Sequence, residues 1–182
     1  METAWYFRLL IPWIGWFVFD LLLLVIIKPK RMSSPGGSKP LEIVSYISII
    51  AGWVLTWFIP YSINMAFWIG LSIIILGLII SSLSFAAMRE HTERKQAVVD
   101  WGIYRVSRHS HVLSSMICLL GTVVIGWNPD SVIYLILWVY FVLYATFSHF
   151  WVLSEEKLNI RRFGKEYVEY MRRVPSYFFG KI

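Results

Sequence analysis

The sequence predicts an all-α integral membrane protein with five transmembrane helices, the last two joined as a helical hairpin and followed by an amphipathic cytoplasmic tail. Three observations predict it. The 182 residues are 58% hydrophobic and only 15% charged, a composition too poor in charge for a soluble domain. The apolar residues fall in long runs separated by short polar segments. Finally, 16 of the 17 lysines and arginines lie on one side of a five-span arrangement, with only Arg8 opposite. The positive-inside rule then places the N-terminus outside and the tail in the cytoplasm. The net charge of +6 is a statement about topology and does not point to nucleic acid. The single cysteine, Cys118, sits in an apolar run as a packing residue and leaves no partner for an intrachain disulfide.

Residues 4–27 are long enough to cross a hydrocarbon core of roughly 30 Å. They lack the basic leader and small-residue cleavage site of a signal peptide, and are read as a retained first span. Asp20 lies inside it, facing other helices or a hydrated cavity. Residues 28–40, rich in Pro, Gly, Ser and basic side chains, form a loop. Residues 41–59 make the second span, stopped by Pro60. An uncharged turn over 61–64 leads to the third span, 65–88, whose Gly70, Gly77, Ser81, Ser82 and Ser84 give a small-residue face suited to close helix contact. The charge run from Arg89 to Lys95 pairs opposite signs four residues apart, which supports a helix continuing into water.

The segment from Val98 to His111 then crowds Arg105, Arg108, His109 and His111 against the fourth span, 112–127. Ionisable groups at a membrane boundary call for a partner or a ligand. The turn Asn128-Pro129-Asp130 makes the fourth span antiparallel to the fifth, 131–153. Counting outward from that turn brings Glu155 and Glu156 to the same end of the hairpin as the Arg-His cluster. Ser154 reads as an N-cap with the acidic pair in its first turn, so a separate tail helix is expected to start there. Gly164 ends it, and a second helix over 165–173 sets Tyr167, Tyr170, Met171 and Val174 on one face until Val174-Pro175 stops it. Tyr177, Phe178 and Phe179 suit the bilayer interface.

Val98-Val99-x-x-Gly102-x-Tyr104, Arg108-His109, Glu155-Glu156-x-Leu158, Phe163-Gly164-x-Glu166-Tyr167-x-x-Tyr170 and Arg173-Val174-Pro175, in that order, resemble the isoprenylcysteine carboxyl methyltransferase family. That family has affinities with the membrane phospholipid N-methyltransferases. The resemblance covers the chain from Gln96 onward, so residues 1–182 are read as one membrane domain with its cofactor-binding half over 96–182.

The resemblance implies S-adenosylmethionine as methyl donor, a lipophilic small-molecule or lipid acceptor, and membrane lipids as surroundings. On it, Gln96, Val98, Val99, Gly102 and Tyr104 line the cofactor. Arg108, His109, Ser110, His111 and Val112 continue the lining, and Glu155 and Glu156 close it from the tail. His109 and Glu155 are the candidate catalytic residues. The chemistry agrees, because Glu155 can pair with the amino group or ribose hydroxyls while Arg108 or His109 addresses the carboxylate. Val98, Val99 and Tyr104 offer apolar and aromatic surface to adenine and sulfonium.

Methyl transfer is an in-line displacement that depends mainly on alignment. A carboxylate acceptor needs no base, whereas an amine or thiol must shed a proton, for which His109, His111 or His149 is placed. The family's proline and tyrosine after Arg-His are replaced here by Ser110 and Val112. Trp151 stands where the family has an arginine that meets the substrate carboxylate, which points to a lipid amine, thiol, isoprenoid or quinol-like acceptor. His109 and His111 have no acidic or cysteine partner at ligand spacing, so no metal site is expected. Two further readings stay open: a nicotinamide-dependent membrane reductase of the sterol-reductase-like branch, and a non-enzymatic membrane protein that keeps the scaffold.

Overall fold

In this computed structural model the described residues are 47, 50–52, 54–58, 62–94 and 98–178. The first expected span, the loop after it, most of the second span and Gln96 lie outside them. Residues 50–52 and 54–57 are helical, as the second span requires. All regular structure among the described residues is helical.

The first long helix, α1, is Met65–Arg94, 30 residues or about 45 Å at 1.5 Å per residue. Asn64 caps it, its Oδ1 accepting from the Phe67 amide at 3.0 Å. The helix runs without a break from the apolar stretch through the charged one, as the four-residue charge spacing predicts.

Next comes a 3₁₀ turn over Gly102–Arg105, then α2, Ser110–Ile125, of 16 residues. The expected fourth span began at Val112 and ended at Trp127; the helix starts and stops two residues earlier. Ser110 is drawn into the helix because it is fully buried, its hydroxyl 2.8 Å from that of Ser84 on α1. Gly126 already leaves the helix. At about 24 Å, α2 is shorter than the hydrocarbon core.

α1 and α2 pack antiparallel along small residues seven apart. A Cβ on Gly70 would lie 2.5 Å from the Gly121 carbonyl oxygen, and one on Gly77 would lie 2.5 Å from Cys118 Sγ. The third member of that row is Ser84, facing Ser110. Backbone meets backbone at the upper contact, which only glycine on both sides permits.

After Asn128-Pro129-Asp130, Ser131 caps α3, Val132–Phe163, accepting from the Tyr134 amide. This 32-residue helix corrects the expectation of a span ending near Leu153 and a fresh helix capped by Ser154. Ser154 is mid-helix, and Glu155 and Glu156 lie about six turns past the true N-terminus. The local cap signal lost to continuity, since nothing from Ser154 to Phe163 is a helix breaker.

Gly164 closes α3 with φ +59°. α4, Lys165–Arg173, follows with the bounds the sequence predicts, and Val174 is extended.

Two helices, α1 over Met65–Met88 and α3, are long and apolar enough to cross a membrane. Their outer faces expose Trp68, Ile75, Ile79 and Leu83 on one and Leu135, Val139, Val142 and Leu143 on the other. Exposed rows of this kind match a lipid environment. At the end away from the charged segments, Phe67, Ile74, Val123, Ile125, Tyr134 and Leu137 fuse α1, α2 and α3 into one core.

Candidate functional site

The charged end of this bundle is built by three pieces that sequence separates widely. The first is the segment entering α2. Trp101 is buried and donates its Nε1–H to the Ala87 carbonyl of α1 at 3.2 Å. Gly102, at φ +57°, turns the chain against Ala87. The 3₁₀ turn then buries Tyr104, whose carbonyl accepts from the Tyr170 hydroxyl of α4 at 2.8 Å. Burial pushes the Tyr170 phenol well up, so it stays a neutral donor. Burial likewise raises Tyr104, offset only in part by the Ser110 hydroxyl.

The second piece is the acidic pair on α3. Arg108 donates to Glu156 Oε1 from Nη2 at 2.7 Å and Nε at 3.1 Å. His109 Nε2 lies 3.2 Å from the same oxygen, and its Nδ1 lies 3.7 Å from Glu155 Oε2. The predicted meeting of the Arg-His and Glu-Glu clusters is therefore present. Glu156 lies past the apolar part of α3 and is buried, which disfavours its charge. Hydrogen bonds from His109, Arg108 and Ser176 outweigh that and hold its carboxyl down to about 2. Glu155 differs from it: its side chain is 38% exposed, with the 3.7 Å approach to His109 as its ion-pair contact. One carboxylate is committed to the protein, and the other is left to the solvent side.

The third piece is the strap after α4. The Arg108 and His109 amides, which precede α2, donate to the carbonyls of Pro175 at 3.0 Å and Ser176 at 3.2 Å. Ser107 Oγ donates to the Ser176 carbonyl at 3.0 Å. Ser176 Oγ accepts from Arg108 Nη2 at 2.6 Å and donates to Glu156 Oε1 at 2.8 Å. Arg108 Nη1 finishes the latch on the carbonyls of Met171 and Val174. A basic group against helix C-terminal carbonyls also suits the helix dipole.

The other site candidates distribute around this latch. Val98 packs with Tyr167, Tyr170 and Val174, and Val99 against the cluster of Ala87, Trp101 and Tyr104. His111 sets its ring edge-on to Phe85 at 5.1 Å, and Val112 is half-buried in the first turn of α2. Arg108, expected to address a ligand carboxylate, has Nε, Nη1 and Nη2 all donating within the protein. Sequence reasoning missed Ser107, Ser176 and the strap carbonyls. The available signal was Val174-Pro175 stopping α4 next to a serine, after a cationic segment whose helix still lacked partners for its first amides.

Comparison with known proteins adds to this geometry. A family model described as phospholipid methyltransferase matches residues 65–166. The chain is 28% identical over 130 residues to a probable protein-S-isoprenylcysteine O-methyltransferase of Oryza sativa subsp. indica, and equally to one of Oryza sativa subsp. japonica. Each match covers 66% of this chain and 61% of the relative, so the chain spans about three fifths of their length. It is 30% identical over 158 residues to protein-S-isoprenylcysteine O-methyltransferase B of Arabidopsis thaliana, covering 80% of this chain and 76% of that protein.

Proposed function

The chain belongs to the phospholipid methyltransferase family, which is related to the isoprenylcysteine methyltransferases, and from that premise we propose that it transfers a methyl group from S-adenosylmethionine to a lipophilic acceptor in or at a membrane. The matched family and the relatives are methyltransferases by name, which favours methyl transfer over the nicotinamide reductase reading. The observation that carries the proposal is the meeting of His109 with Glu155 and Glu156, 46 and 47 residues further along the sequence.

The residues fit the donor's chemistry. Glu155 offers a half-exposed carboxylate to an ammonium or to ribose hydroxyls. Val98, Val99 and Tyr104, buried or half-buried with aromatic neighbours, offer apolar surface to adenine. S-adenosylmethionine supplies a methyl group on a cationic sulfur, open to in-line displacement. We assign Arg108 and Glu156 to the frame that holds the wall together, with His109 buried between the two carboxylates and positioning Glu155, which is left to face the ligand. Gln96, Gly102, Ser110, His111 and Val112 complete the proposed lining. The five-span topology with an outer N-terminus, and a single membrane domain whose residues 96–182 bind the donor, belong to the same proposal.

Calorimetric titration with S-adenosylhomocysteine and with NADPH tests it. The wild-type protein should bind the first and not the second. Glu155→Gln should weaken S-adenosylhomocysteine binding about tenfold, the low end for a charge-assisted hydrogen bond because the group is partly solvated. Unchanged affinity in Glu155→Gln, or binding of NADPH alone, refutes the assignment.

A further inference from the structure

α3 carries a second polar level that the donor wall leaves unused. His149 lies seven residues before Glu156 on the same helix, two turns along one face, with fully buried Val152 between them. At 1.5 Å per residue, His149 sits about 10 Å closer to the apolar end than Glu156.

The strap delivers a partner to that level. Ser176 is pinned by Arg108 and Glu156. The following side chain, Tyr177, lays its ring by His149 with centroids 6.1 Å apart and planes tilted 39°. The Tyr177 hydroxyl oxygen is buried, with no hydrogen-bond partner among the described residues. A phenol left so is costly and calls for a ligand group to complete it. Among the described membrane-ward segments, formal positive charge is missing. No lysine or arginine occurs over 65–88, 110–125 or 132–153. The donor end is thus ionic, while the membrane-ward end offers an imidazole and a phenol in an apolar setting.

We infer that His149 and Tyr177 form the acceptor end of the site, and that the acceptor presents a neutral amine or thiol on an apolar chain rather than a carboxylate. This rests on the methyltransferase reading above. His149 is the base and Tyr177 the positioning residue that hydrogen-bonds the acceptor headgroup. The acceptor's lone pair forms the new bond to the methyl carbon as the carbon–sulfur bond breaks. The bonding pair stays with sulfur, which becomes a neutral thioether. The acceptor's proton passes to a ring nitrogen of His149 and then to water. An imidazole suits that transfer, and a carboxylate would have no proton to give it and no lysine or arginine of the described membrane-ward segments to hold it.

The test uses full-length protein in detergent, with tritium-labelled S-adenosylmethionine and three probes: dodecylamine, dodecanethiol and N-acetyl-S-farnesylcysteine. Probe binding is followed separately by tryptophan fluorescence. The wild-type protein should bind S-adenosylhomocysteine and label the amine or the thiol. His149→Ala should lower kcat about 100-fold or more while S-adenosylhomocysteine affinity stays within about twofold, and added imidazole should restore part of the rate. Tyr177→Phe should weaken binding of the labelled probe about tenfold, again with S-adenosylhomocysteine affinity kept.

Turnover retained in His149→Ala, a loss that imidazole does not touch, or label confined to the farnesylcysteine carboxylate or absent from every probe overturns the inference. A wild-type protein that fails to bind S-adenosylhomocysteine overturns the methyltransferase reading itself.

Discussion

Replacing Arg108 by methionine removes the latch while keeping most of the apolar stem volume. The Arg108 and Glu156 side chains are 6% and 8% exposed. The change deletes the guanidinium contacts to Glu156, Met171, Val174 and Ser176 together, leaving a buried carboxylate with only His109 and Ser176 to compensate it. Breaking a buried pair from one side costs about 3–5 kcal/mol, or a factor of roughly 10² to 10⁴ in the docked-to-released equilibrium of the tail. Hydrogen exchange in detergent reads this directly. Amides over 165–178 should exchange faster by about that factor, while those in the glycine-packed part of α1 and α2 keep their protection. Arg108→Lys should fall between, because a point charge cannot reach four partners as a planar fork does. Wild-type protection of the tail in Arg108→Met would refute the reasoning, since the guanidinium contacts to Met171, Val174 and Ser176 are lost together.

Two glycine substitutions separate packing from backbone conformation. Gly70→Ala places a Cβ 2.5 Å from the Gly121 carbonyl oxygen and 2.7 Å from the Ile125 nitrogen. Both are backbone atoms, so the helices must part, at about 1–3 kcal/mol. A lowered melting temperature in detergent is expected, and an unchanged one would mean that α1 and α2 do not meet this closely. Gly164→Ala meets nothing within 4 Å, yet φ +59° and ψ −131° strain any L side chain by about 1–3 kcal/mol. It should speed exchange over 165–173 without changing the core, and wild-type exchange there would refute the turn's role.

The strongest signals in the sequence were those with one structural solution. A three-residue turn between apolar runs forces an antiparallel pair, so counting from Asn128-Pro129-Asp130 brings the acidic pair to the same end of the hairpin as the Arg-His cluster. The count sets His109 level with His149 and Glu155 level with residues 102–104, whereas the structure sets His109 against Glu155 and Glu156. Gly164 and Val174-Pro175 bounded α4 because a glycine free to take φ +59° and an extended residue before a proline each end a helix. Ser154-Glu155-Glu156 misled because an N-cap pattern is a local preference worth about 1 kcal/mol, easily overridden inside a helix anchored at both ends. The strap was hard to read because most of its bonds use main-chain carbonyls, which every residue carries and no motif marks. Ser110 shows the same limit. Read against a family pattern it was a missing proline, whereas in the fold its hydroxyl is the polar contact that seats α2 on α1.

The unbroken course of α3 has a mechanical consequence. A helix that runs from the interior of the apolar layer out to Phe163 is a rigid ruler, on which every added residue advances the chain by about 1.5 Å and turns it by about 100°. A single insertion between His149 and Glu156 would swing one of them off the shared face, whereas the same insertion beyond the end of α4 would only lengthen the strap. The rod therefore tolerates a change in what lines it far more readily than a change in its length between those two marks.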